Sequence, residues 1–240
     1  RPEIVDAEIV KILLSTTFKY NERQTTLSSG ELETVVSNAI KDYDTQNLTN
    51  FDAVFRHSNL TKAIDDSNSA ILSNITNVRL CKKMTVKPGQ LIGYTNTFGN
   101  GFYNPTSGYN ASLGGITSTT GFYSEGDATN IHYFDDDGKG NLREYYLSGS
   151  TRIYTNSSAG SVNYTTGLIT INAINITSTV NVDSTIDFTM IPNGSDVVAT
   201  RGILIDISTS DIKVVGEVDT IASGESSAGV GFNSTSSSTY

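Results

Sequence analysis

The chain has 240 residues, a length that suits one large domain or two small ones. At 37% hydrophobic and 17% charged it is globular, not disordered. A net charge of -9 argues against a nucleic-acid-binding surface, which needs clustered Lys and Arg, and no apolar run approaches the ~20 residues that cross a bilayer.

The single Cys81 cannot form an internal disulfide, which favours assembly in a reducing cytosol. The start at Arg1, without Met, reads as a piece cut from a larger polypeptide, and no basic start followed by an apolar run marks a signal peptide. From Val10 to Tyr20 the even positions are Val10, Ile12, Leu14, Thr16, Phe18 and Tyr20, the period-two pattern of a half-buried strand. Each large apolar side chain there contributes roughly 1.5–3 kcal/mol when fully buried, so this strand anchors the first core. Ser28 and Glu31 then have the spacing of a capping box. Leu32, Val35, Val36, Ala39, Ile40 and Tyr43 follow as one apolar stripe at helical spacing.

Ala53 to Phe55 is a short apolar run, Leu60 and Ile64 lie one turn apart on a short helix, and Ile75 to Met84 is strand-like. The order strand, helix, strand, short helix, strand suits a ferredoxin-like α/β module over residues 1–86. Past Lys87-Pro88-Gly89 no helical stripe recurs. Tyr94 to Gly126 is rich in Gly, Thr, Ser, Asn and Tyr and reads as a long irregular loop region with one or two short strands. Strands are expected at Leu142 to Tyr154, at Ser161 to Tyr164, and, after a tight turn at Thr165-Thr166-Gly167, at Leu168 to Ile176. Thr185 to Met190, the alternating Ile203, Ile205 and Ile207, and Ile212 to Val218 complete the pattern. Residues 87–222 therefore read as an all-β domain, a sandwich or small barrel, followed by a Gly/Ser-rich tail at 223–240. The expected fold class is α+β.

The chemistry along the chain is sparse. Asp135-Asp136-Asp137-Gly138-Lys139-Gly140-Asn141 invites a calcium reading, but the EF-hand spacing fails and the segment reads as a plain solvated turn. His57 and Ser58 are sequence neighbours and form no catalytic dyad, and His132 beside Tyr133 and Phe134 reads as a strand residue. No Gly-x-Ser-x-Gly, P-loop or Cys/His cluster occurs. No catalytic, cofactor or metal residue is assigned, and no cofactor is expected. Many Asn-x-Ser/Thr triplets arise from a composition rich in Asn, Ser and Thr. The aromatic cluster Tyr94, Phe98, Phe102, Tyr103, Tyr109, Phe122 and Tyr123 is the candidate protein interface, shared with the core of the loop region.

One string is long and irregular: Phe55-Arg56-x-Ser58-x-Leu60-x-x-Ala63-Ile64-Asp65-Asp66, then Ile71-Leu72-Ser73-Asn74-x-Thr76. It resembles the C-terminal part of the baseplate wedge proteins of T4-like contractile-tailed bacteriophages, within the broader baseplate J-like family. Val162 to Ile171 and Ile186 to Pro192 with Asp196 to Ala199 extend the resemblance over most of the chain. The resemblance implies the same fold, no active site, and a structural subunit that self-associates as a homodimer or ring and joins neighbouring wedges. It implies other wedge subunits as partners, no nucleic acid or membrane, and a place in the virion after assembly in the host cytoplasm. A binding module reading a host glycan through its aromatic loops, and a tail-associated glycosidase with paired carboxylates, are the alternatives.

Overall fold

The computed structural model describes residues 8–104, 115–200 and 202–222. The expected Gly/Ser-rich tail at 223–240 and Tyr109 lie outside them. Along the chain run β1 (Glu8–Tyr20), α1 (Ser29–Asn47), β2 (Val54–Phe55), α2 (His57–Asp65), β3 (Ile71–Thr85), β4 (Leu91–Thr97) and β5 (Ile116–Ser118). β6 (Phe122–Ser124), β7 (Asp127–Asp136), β8 (Asn141–Ser148), β9 (Thr151–Asn163) and β10 (Leu168–Thr179) follow. β11 (Thr185–Met190), β12 (Val197–Val198), β13 (Ile203–Ile207) and β14 (Lys213–Val218) complete the series. Two compact units divide the chain: the described parts of Arg1–Leu14, Asp44–His57 and Val78–Asp211, and those of Ser15–Tyr43, Ser58–Asn77 and Ile212–Tyr240. Both units draw on sequence from either side of residue 86.

In the smaller unit, Ser15 to Tyr20 of β1 pair in parallel with Lys213 to Val218 of β14. β1 also borders β3, where Thr16 and Thr76 share a buried hydroxyl–hydroxyl hydrogen bond of 3.0 Å. The capping box forms as its spacing predicts: Ser28 N–H donates to Glu31 Oε2 at 2.7 Å, and Glu31 N–H donates to Ser28 Oγ at 3.4 Å. Leu32, Val36, Ile40 and Tyr43 are the buried positions of α1, four of the six in the stripe expected from sequence, while Val35 and Ala39 are half-buried. The first turns of α1 also close an edge. Gly216 N–H donates to Glu33 Oε1 at 3.0 Å, and Ser29 Oγ donates to the Gly216 carbonyl at 3.2 Å. An open strand edge templates unwanted pairing, and here side chains satisfy it. A Cβ at Gly216 would lie 2.7 Å from Phe18 and 2.8 Å from Ser29 Oγ, so the approach needs glycine.

In the larger unit, Glu8 to Ile12 pair in parallel with Ile203 to Ile207. β11 lies between β3 and β5, antiparallel to both. The pairings β6–β7, β7–β8, β8–β9, β9–β10 and β10–β6 close a five-strand barrel, and β4 also pairs with β10. Phe122, Phe134, Leu142, Ile169, Ile171 and Ile176 are buried in this region, and the rings of Phe122 and Phe134 stack at 4.7 Å. Closure leaves no room for a side chain at the β9–β10 seam. A Cβ at Gly160 would sit 2.0 Å from the Thr170 carbonyl oxygen.

The fold departs from the expected α+β class. No N-terminal ferredoxin-like module forms, and the protein is mostly β, with two α-helices among the described residues. β2 has two residues and pairs with β12 in a separate sheet instead of entering the sheet of β1 and β3. β1 and β3, at 13 and 15 residues, are long for a small module, and the edge of β1 is taken by C-terminal strands. Local order along the first 86 residues therefore suggested a closed unit that non-local pairing overrides. The strand expected from Leu142 to Tyr154 is two strands. Gly149, with φ +62°, turns the chain between Ser148 and Thr151, and β9 then continues through Ser161 to Asn163. The expected turn at Thr165 to Gly167 is present, with Gly167 at φ +71° and its N–H donating to the Asn163 carbonyl.

Candidate functional site

The outward side of the barrel wall carries a polar cluster centred on Asp135. Its carboxylate is wholly buried and accepts three donors: Arg143 Nε at 2.9 Å, Arg152 Nη1, and the Tyr154 hydroxyl at 2.9 Å. Strand register builds this. Asp135 faces Arg143 across β7–β8, Tyr133 faces Tyr145, and Tyr145 faces Tyr154 across β8–β9. Each guanidinium lies over a ring, Arg143 over Tyr154 at 4.3 Å and Arg152 over Tyr145 at 4.7 Å. Burial pushes the Asp135 carboxyl up from its ordinary value, against the pull of both arginines. The cluster holds charge in place. It has no second carboxylate at a defined separation across a cleft, as glycoside hydrolysis would need.

The neighbouring residues on β7 point inward. Asp136 Oδ1 accepts the Ile116 N–H at 2.8 Å, and its Oδ2 accepts the Tyr164 hydroxyl. Burial and that bond push the Tyr164 phenol up. His132 is buried, with Nδ1 2.7 Å from Glu144 Oε1 and Nε2 3.2 Å from Asp127 Oδ2. Burial raises the Glu144 carboxyl, whereas amide donors from Asn130 and Thr129 hold Asp127 below the usual carboxylate range. Asp135 and Asp136 are thus barrel-wall residues, which corrects the reading of the acidic run as one solvated turn. Only its later part turns: Asp137 Oδ1 accepts the N–H groups of Lys139 and Asn141 at 2.8 and 3.0 Å. Among the described residues no group of three or more His, Cys, Asp or Glu is placed to hold a metal ion. An acidic residue on a strand was readable as a turn because three successive Asp next to Gly is a hairpin signal. The distant Arg152 and Tyr154 that donate to Asp135 follow only from the fold.

His57 begins α2, its N–H donating to Asp196 Oδ1 at 3.0 Å while Arg56 pairs with Asp196 Oδ2 at 2.6 Å. A cavity of about 680 Å³ in the larger unit is lined by Glu8, Lys11, Lys82, Asn96, Asp187 and Cys81, among others. Lys82 is buried there and held by the Glu8 carboxylate and the Thr97 carbonyl. Burial first, then nearby acidic groups, pushes the Cys81 thiol up to about 11, so it is a poor nucleophile.

The aromatic residues expected at an interface divide. Tyr94, Phe98, Phe102 and Phe122 are buried, and Phe98 and Phe102 meet edge to face at 5.3 Å. Tyr103 is 42% exposed and Tyr123 half-buried. Close backbone approach positions Phe102: it bridges Pro192, and Gly101 sits where a Cβ would meet the Tyr164 and Thr165 carbonyls at 3.1 Å.

Residues 9–83, from β1 into β3, match the family described as baseplate structural protein gp6, C-terminal domain III. The match supports a structural role in the tail baseplate of a bacteriophage virion, in association with other baseplate subunits. It falls on the stretch that carries the Phe55-to-Thr76 string. No curated protein matches the chain. Among the described residues no helix is long and apolar enough to cross a membrane.

Proposed function

We propose that the chain is a non-enzymatic subunit of a baseplate wedge, of the wider baseplate J-like kind, that self-associates and joins neighbouring wedges into the baseplate ring. The match of residues 9–83 to a baseplate structural domain carries the reading. In this role the protein works by contacts alone, with itself and with other wedge subunits, without cofactor, nucleic acid or membrane. It is assembled into the tail in the host cytoplasm. The exposed Tyr103 and the half-buried Tyr123 belong to its contact surface. A specific contact of this kind buries on the order of 1,000 Å² or more. The glycan-binding alternative loses support because Tyr94, Phe98, Phe102 and Phe122 are packed inward.

Equilibrium sedimentation at tens of micromolar tests self-association, and a strictly monomeric chain overturns it. Mixing with purified neighbouring wedge subunits tests the joining role by co-elution. Failure of both, with binding on a glycan array, restores the alternative.

A further inference from the structure

The larger unit buries two side chains whose chemistry the fold leaves unused. Lys82 of β3 and Asn96 of β4 line the same cavity and are 5% and 3% exposed. Lys82 Nζ meets the Glu8 carboxylate and donates to the Thr97 carbonyl at 2.5 Å, one residue along β4 from Asn96. Asn96 Nδ2 is buried without a hydrogen-bond partner. Nearly all buried polar groups in native proteins are paired, so an amide left alone in the cavity that holds a buried amine calls for a reason. Aromatic side chains flank both groups. Phe188 is the cross-strand neighbour of Lys82, and the buried Tyr94 and Phe98 lie two residues to either side of Asn96. The Glu8 side chain is 62% exposed and links the pair to solvent.

An amine, a carboxamide and a carboxylate held together are the parts of an amide exchange. We propose that Lys82 and Asn96 join in an intramolecular isopeptide bond, with Glu8 as the base. Glu8 takes one proton from the Nζ ammonium, which frees the lone pair of the amine. Nζ attacks Asn96 Cγ and the new N–C bond forms. The second proton of the attacking nitrogen passes to Nδ2, the Cγ–Nδ2 bond breaks with its electron pair, and ammonia leaves. Glu8 gives its proton to the ammonia, so the products are the amide and ammonium. Nothing is oxidised or reduced, and no co-reactant is needed. For the attack, Nζ moves from the Thr97 carbonyl to the amide of the preceding residue, on a flexible four-carbon stem. The fold holds both reactants in one chain, so the step is unimolecular. The bond ties β3 to β4 across the cavity. It lies within one chain and does not depend on the assembly reading above.

Intact-mass spectrometry of the native chain after prolonged incubation at neutral pH tests it. Loss of ammonia makes the chain lighter than its sequence by about 17 Da, and protease digestion should yield a fragment in which Lys82 is joined to Asn96. Lys82→Met should keep its full mass, and Glu8→Gln should react at least tenfold more slowly. A parent chain that keeps its full mass overturns the proposal, whatever the variants do. So does a loss of the same size that persists in Lys82→Met, since ring closure at an Asn-Gly pair such as Asn100-Gly101 also releases ammonia. A joined fragment that forms equally fast in Glu8→Gln overturns the role of Glu8 alone.

Discussion

Asp135→Ala removes one buried carboxylate and leaves Arg143, Arg152 and Tyr154 without their shared acceptor. Breaking a buried ion pair from one side costs about 3–5 kcal/mol, because the remaining charge stays uncompensated. The two arginine side chains are 13% and 27% exposed, so water reaches them in part and the lower end, about 3 kcal/mol, is expected. For a chain of this size each kcal/mol moves the melting temperature by about 2–4 °C, which gives a fall of roughly 6–12 °C. Circular dichroism melts and urea titrations measure it directly. Asp135→Asn keeps an oxygen for the Tyr154 hydroxyl but loses the charge, and should fall between parent and Asp135→Ala. In a double-mutant cycle, Arg152→Met should cost less in the Asp135→Ala background than in the parent. A loss under about 1 kcal/mol for Asp135→Ala would refute the clamp, since a lost exposed pair costs no more than that.

Ile12→Asp places a lone carboxylate at a wholly buried position of β1 and should abolish cooperative unfolding; a melt like that of the parent would show the strand assignment to be wrong. Gly160→Ala drives a Cβ against the Thr170 carbonyl and should destabilise the β9–β10 seam by about 1–3 kcal/mol in urea titration, whereas an unchanged midpoint would mean the barrel is not closed there. Cys81, with its thiol pushed to about 11, should react with a thiol reagent near pH 8 far more slowly in the native chain than in urea; equal rates would contradict its burial. Asp127 is held below its usual 3.8, so its stabilising contribution is present above that pH and is lost as pH falls through the folded value. Asp127→Asn should therefore lower the melting temperature more near pH 6 than near pH 2, and equal losses at both would count against the assignment.

What could be read from the sequence was local. The alternation of β1, the Ser28/Glu31 box, much of the stripe of α1, the pair Leu60 and Ile64 of α2, and the alternation of β13 each follow from side-chain period and appear in the structure, whereas β11 is a strand buried on both faces. Beyond His132, read as a strand residue, β7 could not be read, because its buried positions include Asp135 and Asp136, polar residues that become buriable only when distant donors meet them. The module expected from the first 86 residues failed for the same reason. Helix and strand order fixes neighbours along the chain, but nothing in β1 announces that β13 and β14 will pair with it. The Asp135 cluster was visible only as an acidic run, since its neutralising partners come from two other strands.

The parallel pairing of β1 with β13 and β14 also has a consequence in time. Glu8 meets Ile203, and Tyr20 meets Val218, roughly 200 residues later in synthesis. At about 5–20 residues per second, β1 emerges from the ribosome roughly 10–40 s before its C-terminal neighbours exist. Throughout that interval one edge of a strand rich in Ile, Leu and Phe awaits its partner. A chain that stops before residue 203 has a β1 without either parallel partner, so it is residues about 200 positions downstream that commit this strand to its place.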